Sequence, residues 1–446
     1  MQMKKWLTIS IFAIILVSIA GFATSFLNPS SRDEKNNVDK SATRDQIHLT
    51  FWRNSGNAAE NRAYEELVSS FQAAHPNIVI NMISIPYGDY EIKLRTQIAA
   101  GNPPDIMTID SPNLALYANA GSLLSIDQNM RNKGKIEDIP PSTLKGLTFK
   151  GKIYLAPIVE SSIALFYNKH LFKEAGIPFP SADPSKPLKW DQVLDMARKL
   201  NHPKKGIYGI DPAQGFGDGE SPAYFKMPLL WQFGGRVLNV NGTSASGFLD
   251  SKESLEALQF YQDMYHLYGV AAVEMQPNPF VTGKLAMTVL GSWSLEDLEH
   301  NYPNFKLGED FGVAPMPMEK DQVVPNGGWA LGISSKTGYP KEAWEFINYV
   351  TSYEGIKTYV KVTGDIPARY SVARDLPEFN QYPKNIFWQQ VQNYSRNRPV
   401  TAAYPVVSDT IKTLFEEVGI GGVDVKSSAE KAVEKINSGL NQIQHP

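Results

Sequence analysis

The residues able to do chemistry are spread along the 446-residue chain in a pattern that suits contact better than turnover. Its histidines, at 48, 75, 170, 202, 266, 300 and 445, include no pair at the i, i+4 spacing by which a helix offers two imidazoles to zinc. There is no Gly-x-Ser-x-Gly elbow and no Walker loop. Gly215-Phe216-Gly217-Asp218-Gly219 is half of a dinucleotide loop. Glu220 stands where the third glycine is needed, and no apolar strand precedes, so an ordinary loop is expected. With 46 acidic residues, carboxylate pairs can be drawn almost anywhere, and none singles out a glycosidase. Cysteine is absent, which excludes disulfides, a thiolate nucleophile and thiolate-held metal.

Tryptophan beside glycine is the more informative pattern. Trp52 follows the first apolar alternation, and Trp231 precedes Gly234-Gly235. Trp293 lies in Gly291-Ser292-Trp293, and Trp329 follows Gly327-Gly328. In loops such rings can offer a flat apolar face to a ligand. Each can equally pack in a core, and spacing alone leaves both readings open.

Bulk composition narrows the class. The 43 basic and 46 acidic residues give a net charge of −3, without the basic excess that a phosphate-directed nucleic-acid binder needs. A mean hydropathy of −0.27 excludes a polytopic membrane protein. At the N-terminus, Lys4 and Lys5 precede an apolar run from Ile9 to Ala20, and small residues follow at Gly21-Phe22-Ala23. This reads as an export signal over 1–23 with cleavage after Ala23, or as an uncleaved anchor. Residues 24–45 lead into a polar stretch with no apolar periodicity, expected to be a flexible tether.

The elements that must position any site begin at Ile47. Ile47, Leu49 and Phe51 alternate as a strand, and a turn is expected at 53–57. Ala63, Tyr64, Leu67, Val68 and Phe71 follow at helical spacing up to His75-Pro76. Strands at 78–83 and 105–109 flank a second helix that Gly101 stops. Such alternation builds an α/β, doubly wound parallel sheet. Further helices are expected at 190–200, 254–268, 341–350 and 429–440.

In order along the chain, several segments resemble the sugar-binding extracellular solute-binding proteins of bacterial ABC importers, the group that includes maltose-binding protein. They are FQAAHPNIVINM (71–82), KLRTQIAAGNPPDIMTID (93–110), APIVESSIALFYNKHLFKEAGI (156–177), LKWDQVLDMARKL, MPLLWQFGGRVLN, GSWSLEDL, PNGGWALGISS, KEAWEFINYV and GDIPAR. One departure matters. Many Gram-positive relatives carry a lipobox ending in cysteine, whereas Phe22 follows Ile19-Ala20-Gly21 here. Lipid attachment at that residue is impossible, and periplasmic residence, secretion and an uncleaved helix all remain open.

The resemblance implies two doubly wound lobes joined by crossing hinge segments, a type II periplasmic-binding-protein fold. The lobes are expected at 46–158 plus 329–365 and at 161–325 plus 369–446. It implies an exported monomer that captures a sugar or oligosaccharide and delivers it to membrane permease subunits, without metal, cofactor or nucleic-acid partner. Ligand positions carried over are Asn54, Ser55, Asp110, Ser111, Glu160, Ser161, Tyr224, Trp231, Trp293, Gly328, Trp329, Arg369 and Tyr404. Polar groups among them suit hydroxyls, which donate and accept, while the rings suit C–H faces. The alternatives are a secreted carbohydrate-active enzyme, or a receptor for a sugar phosphate held by Arg369 or for iron held by tyrosines such as Tyr224. Because periodic sequence starts abruptly after the polar stretch, the chain from Asp45 onward should fold without residues 1–44. Circular dichroism of the shortened protein checks this, and an unfolded or aggregated product would refute the boundary.

Overall fold

The computed structural model describes residues 46–444 apart from 213–218. The signal or anchor and the tether expected over 1–45, and the loop at 215–218, lie outside the described residues. Among those described, no helix is long and apolar enough to cross a membrane.

The first lobe opens with β1 (Ile47–Ser55), α1 (Ala58–Ala74), β2 (Ile78–Pro86), α2 (Tyr87–Ala99) and β3 (Ile106–Asp110). The chain then reaches β4 (Leu155–Pro157) and crosses through β5 (Val159–Glu160) into β6 (Ile163–Asn168) of the second lobe. There follow α3 (Trp190–Leu200), β7 (Tyr208–Asp211), α4 (Ser221–Gln232), α5 (Lys252–His266), β8 (Leu285–Gly291), α6 (Ser294–Asn301) and β9 (Phe311–Ala314). After β10 (Val324–Pro325) the chain returns through β11 (Trp329–Ile333), α7 (Pro340–Val350) and α8 (Tyr353–Thr363). It crosses a third time at β12 (Ile366–Pro367), then forms α9 (Tyr370–Asp375), α10 (Lys384–Tyr394), β13 (Ser395–Arg396), α11 (Tyr404–Phe415) and α12 (Val425–Gln444).

The first sheet has the order β2-β1-β3-β11-β4, and the second β9-β6-β8-β7. β1 runs parallel to β2 and β3, as strand–helix alternation requires. β11 pairs antiparallel with both β3 and β4 because it re-enters from the other lobe, so the sheet is mixed rather than wholly parallel. β1 also runs further than its alternation suggested. Its ladder with β2 continues to Ser55↔Pro86, leaving only Gly56 and Asn57 to connect it to α1.

Buried side chains fill both lobes, and one cluster runs from the first lobe to Phe166, Leu285 and Phe311 of the second sheet. In the first, the fully buried Phe51 ring lies 5.4 Å from Phe346 on α7 and 5.8 Å from Tyr64 on α1. In the second, Leu230, Met227 and Trp231 of α4 are buried, and Tyr261 of α5 meets Phe415 of α11 edge-on at 5.0 Å. Among the crossings, β5 pairs antiparallel with β12 and β10 pairs with β13.

The expected start of the returning second-lobe segment at 369 needs correction. α9 packs on α8, and the Ser371 backbone N–H donates to Asp138 Oδ1 at 2.8 Å, so the chain stays with the first lobe through Asp375. The second lobe resumes by α10, where Gln390 Nε2 donates to the Ile163 carbonyl at 2.9 Å.

Candidate functional site

A cavity of about 350 Å³ lies between the lobes. The carboxyl ends of strands face it, where an open α/β sheet leaves a crevice. Asn54 and Ser55 close β1, Asp110 closes β3, and Ser292 and Trp293 follow β8. The opening of α4 brings Glu220, Ser221, Tyr224 and Phe225. Crossing segments supply Val159, Glu160, Ser161, Gly327, Gly328, Trp329 and Asp365.

Local sequence fixes these positions. Asn57 caps α1 with its Oδ1 accepting from the Glu60 N–H at 2.9 Å, while Glu60 Oε2 accepts from the Asn57 N–H at 3.0 Å. This reciprocal cap folds the Glu60 carboxylate back toward the cavity. Gly56 makes room for it, since a Cβ there would fall 1.4 Å from Glu60 Oε2. At the second crossing a Cβ on Gly328 would sit 2.2 Å from the Val159 carbonyl oxygen, so only glycine lets the two crossing backbones touch. The β3–β11 register then sets Trp329 directly opposite Asp110.

The strongest polar feature is a buried ion triad. Arg398 grips Asp110 with two parallel hydrogen bonds, Nη1 to Oδ2 at 3.0 Å and Nη2 to Oδ1 at 2.8 Å. The same Nη1 donates to Glu220 Oε1 at 2.8 Å. Glu220 is further held by the Tyr404 hydroxyl and by Ser408 Oγ, the latter at 2.6 Å. One guanidinium thus joins the end of β3 to the start of α4. Two smaller contacts also span the cleft. The Glu220 N–H donates to Tyr87 Oη at 3.1 Å, and Asn57 Nδ2 donates to Asp297 Oδ1 at 3.2 Å. Together they describe a closed arrangement.

Rings form the apolar walls. Trp329 is met edge-on by Tyr90 at 5.5 Å and by Tyr87 at 6.2 Å. Trp293 leans on Tyr224 at 5.9 Å and Phe225 at 6.1 Å. Tyr224 Oη donates to Ser161 Oγ at 2.9 Å, and Ser161 donates to the Gly327 carbonyl. Burial pushes the Glu160 carboxyl up to about 7, although it accepts the Gly327 N–H at 3.2 Å. Burial and the neighbouring Glu60 charge raise Asp365 to about 8.

Of the residues carried over from the resemblance, the cavity gathers Asn54, Ser55, Asp110, Glu160, Ser161, Tyr224, Trp293, Gly328 and Trp329. The other four lie elsewhere. Ser111 begins a 3-10 turn and is not part of the cavity wall. Trp231 is a core residue of α4, 3% exposed, with Arg396 over its ring at 5.6 Å. Tyr404 stands behind the wall and reaches the site only through Glu220. Arg369 is buried in the first lobe, donating from Nε to the Thr351 carbonyl and from Nη2 to the Gly134 carbonyl, both at 2.9 Å. The sugar-phosphate reading therefore loses the arginine on which it stood. Tyr224 has its hydroxyl engaged by Ser161, and among the described residues no group of three His, Asp or Glu could hold a metal ion.

Sequence reasoning missed Glu60, Tyr87, Glu220, Phe225, Asp297, Asp365 and Arg398. Glu60 carried a signal, since Asn-x-x-Glu is a capping box that turns the carboxylate back past Gly56. Glu220 was noticed only for not being glycine. Arg398 sits in a loop after β13, where nothing local marks its two distant carboxylate partners.

Residues 55–357 match the family model described as bacterial extracellular solute-binding protein. The maltotriose-binding protein of Pyrococcus abyssi is 27% identical over 380 residues, covering 83% of this chain and 77% of its own. The mannitol-binding protein of Pseudomonas aeruginosa is 27% identical over 316 residues, 68% of this chain and 67% of its own. Among solved structures, an ABC transporter solute-binding protein of Thermotoga lettingae bound with α-D-tagatose superposes with a TM-score of 0.77 at 27% identity. It covers 89% of this chain and 100% of its own.

Replacing Arg398 with Met should leave Asp110 and Glu220 buried without their counter-charge, at a cost of about 3–5 kcal/mol of folding stability near pH 8. Burial already pushes Glu220 up, and the loss of the Arg398 charge that opposes this raises it further in the folded state. The Glu220 part of the deficit relative to the parent protein is then full above that raised value and shrinks as the pH falls toward about 4–5, where unfolded carboxyls also protonate. Urea melts of both proteins at pH 8 and pH 5 check the sign. A deficit that grows on acidification would contradict it.

Proposed function

The chain belongs to the bacterial extracellular solute-binding protein family, and from that premise we propose that it is the receptor of an ABC importer that captures a sugar or oligosaccharide in the interlobe cavity. The observation that carries this is the composition of the wall. Trp293, Trp329, Tyr87 and Tyr224 offer ring surface, while Asn54, Ser55, Ser292 and several carboxylates offer hydrogen-bonding groups, and both lobes contribute to each set. Sugars need both, because hydroxyls donate and accept while C–H faces seek apolar surface.

The receptor works without a covalent step. A solute touching both walls binds the closed form better than the open one, and this difference in affinity is what shifts the lobes together. Closure rotates them about the crossing segments, the paired β5 and β12 and the Gly328–Val159 contact. The closed, loaded receptor then docks on membrane permease subunits at the outer face of the cytoplasmic membrane. In this reading residues 1–23 export the chain, as a cleaved signal or a retained anchor, to the outer membrane face, the periplasm or the medium, where it acts as a monomer with Phe22 in place of a lipid-bearing cysteine.

A thermal-shift screen of mono- and oligosaccharides should find a solute that raises the melting temperature, since it binds only the folded state. With that sugar, Trp293→Ala should weaken binding by about 1–3 kcal/mol, roughly ten- to over a hundredfold, in calorimetric titration. Trp293 is only partly buried, so the melting temperature of the empty variant should change little. Normal affinity with a large drop in stability would move Trp293 into the core and away from the ligand.

Small-angle scattering supplies the other check. Saturating sugar should reduce the radius of gyration of the parent protein. An unchanged curve with binding shown by calorimetry would refute hinge closure.

A further inference from the structure

The charge on the cavity wall narrows the solute beyond "a sugar", on the premise that this cleft is the binding site. The lining holds the carboxyls of Glu60, Asp110, Glu160, Glu220, Asp297 and Asp365, and Arg398 as its cationic side chain. Arg398 is committed to Asp110 and Glu220, and Glu160 accepts the Gly327 N–H. Glu60, Asp297 and Asp365 have no cation at hydrogen-bond distance, although Glu60 accepts the Asn57 N–H and, at 3.2 Å, the Tyr359 hydroxyl, and Asp297 accepts from Asn57 Nδ2. They come from α1, α6 and the third crossing, and the charge of Glu60 bears on Asp365 while that of Asp297 bears on both others.

These three form no ion pair among the described residues, and the charges that favour their ionised forms, Arg53 for Glu60, Lys384 for Asp365 and His300 for Asp297, act from outside the cavity. Arg53 stands behind Glu60, but its Nη1 donates to Asn61 Oδ1 at 2.7 Å and Ser84 Oγ at 3.0 Å, and its guanidinium lies 4.3 Å from the Tyr64 ring centre. Lys384, on the Asp365 side, lies 5.2 Å from the centre of the Phe379 ring. His300 faces Asp297 from the same helix. None of these cations lines the cavity.

A second observation points to a missing partner at the same wall. Ser292, 9% exposed and part of the lining, has an Oγ with no hydrogen-bond partner in the protein. An orphaned hydroxyl is costly unless a ligand satisfies it. A bare metal ion does not fit, because no three acidic or imidazole groups among the described residues could hold one. A compact ammonium asks for less: it needs one or two of these carboxylates as direct acceptors, with the remaining charge acting at longer range. Trp293 lies beside it, and aromatic faces attract cations.

We propose that the solute is an amino sugar, its protonated amine seated among Glu60, Asp297 and Asp365 and its ring hydroxyls satisfying Ser292. Burial raises all three carboxyls in the empty cavity, so an arriving cation favours their ionised forms and expels protons.

Calorimetric titration with matched sets tests this. The sets are D-glucosamine, D-galactosamine and the β-1,4 dimer of glucosamine, each beside its N-acetylated and its hydroxyl counterpart, with spermidine as an amine that is not a sugar. Buffers of different ionisation enthalpy report proton exchange. An amine member should bind at least about tenfold tighter than its neutral counterparts, with release of protons at pH 7. The double variant Asp297→Asn, Asp365→Asn should lose that preference, its ratio of amine to neutral affinity falling toward one, and its melting curve reports whether it folds. Neutral sugars binding as well as the amines would overturn the amino-sugar assignment and leave the sugar receptor standing. Binding of spermidine alone would overturn the sugar reading and this proposal with it, and binding of nothing in the panel while another saccharide binds would overturn this proposal alone.

Discussion

The ion triad of Asp110, Arg398 and Glu220 is the constraint around which the cleft is arranged. Two carboxylates buried side by side in the cavity wall would repel one another and lack solvation. A single bidentate guanidinium makes the pair tolerable. It does so from a loop belonging to neither wall, which fixes where β3 must end, where α4 must begin and how far apart they can stand. Tyr404 and Ser408 hold the Glu220 side of that arrangement from α11. The C-terminal helices therefore shape a cavity they do not line.

How much of this could be read from the amino acids depended on the range of the interaction. β1, α1, β2, α2 and β3 were legible because burial imposes a period on neighbouring residues, and α3 has the expected bounds Trp190–Leu200. Trp293 and Trp329 were legible as wall residues because glycines next to them mark turns rather than helix interiors. Trp231 misled because its glycines come after the helix end, while the residue itself still belongs to the last turn of α4 and its ring is buried in the core. Arg369 misled for a related reason. Its chain position at the hinge is right, but its side chain turns back to the Gly134 and Thr351 carbonyls instead of out into the cleft.

The residues that escaped entirely are those whose role is set by pairing across the fold. Arg398 meets Asp110 from 288 positions away and Glu220 from 178. No periodicity or turn chemistry encodes such a contact. Asp297 and Asp365 are ordinary acids by sequence, and only their shared cavity with Glu60 makes them unusual.

Asn57 performs two tasks with the two ends of one amide. Its oxygen starts α1, and its nitrogen reaches Asp297 across the gap. The helix cap is indifferent to whether the lobes meet, whereas the nitrogen's partner exists only when they do. An isosteric exchange to aspartate would keep the cap acceptor and replace the bridging donor with a charge of the same sign as Asp297. The fold would stand while the shut state alone was penalised. One side chain thus separates the stability of the molecule from the position of its opening equilibrium, and because it also lines the cavity, any tuning of how readily the empty receptor shuts is felt at the wall that meets the solute.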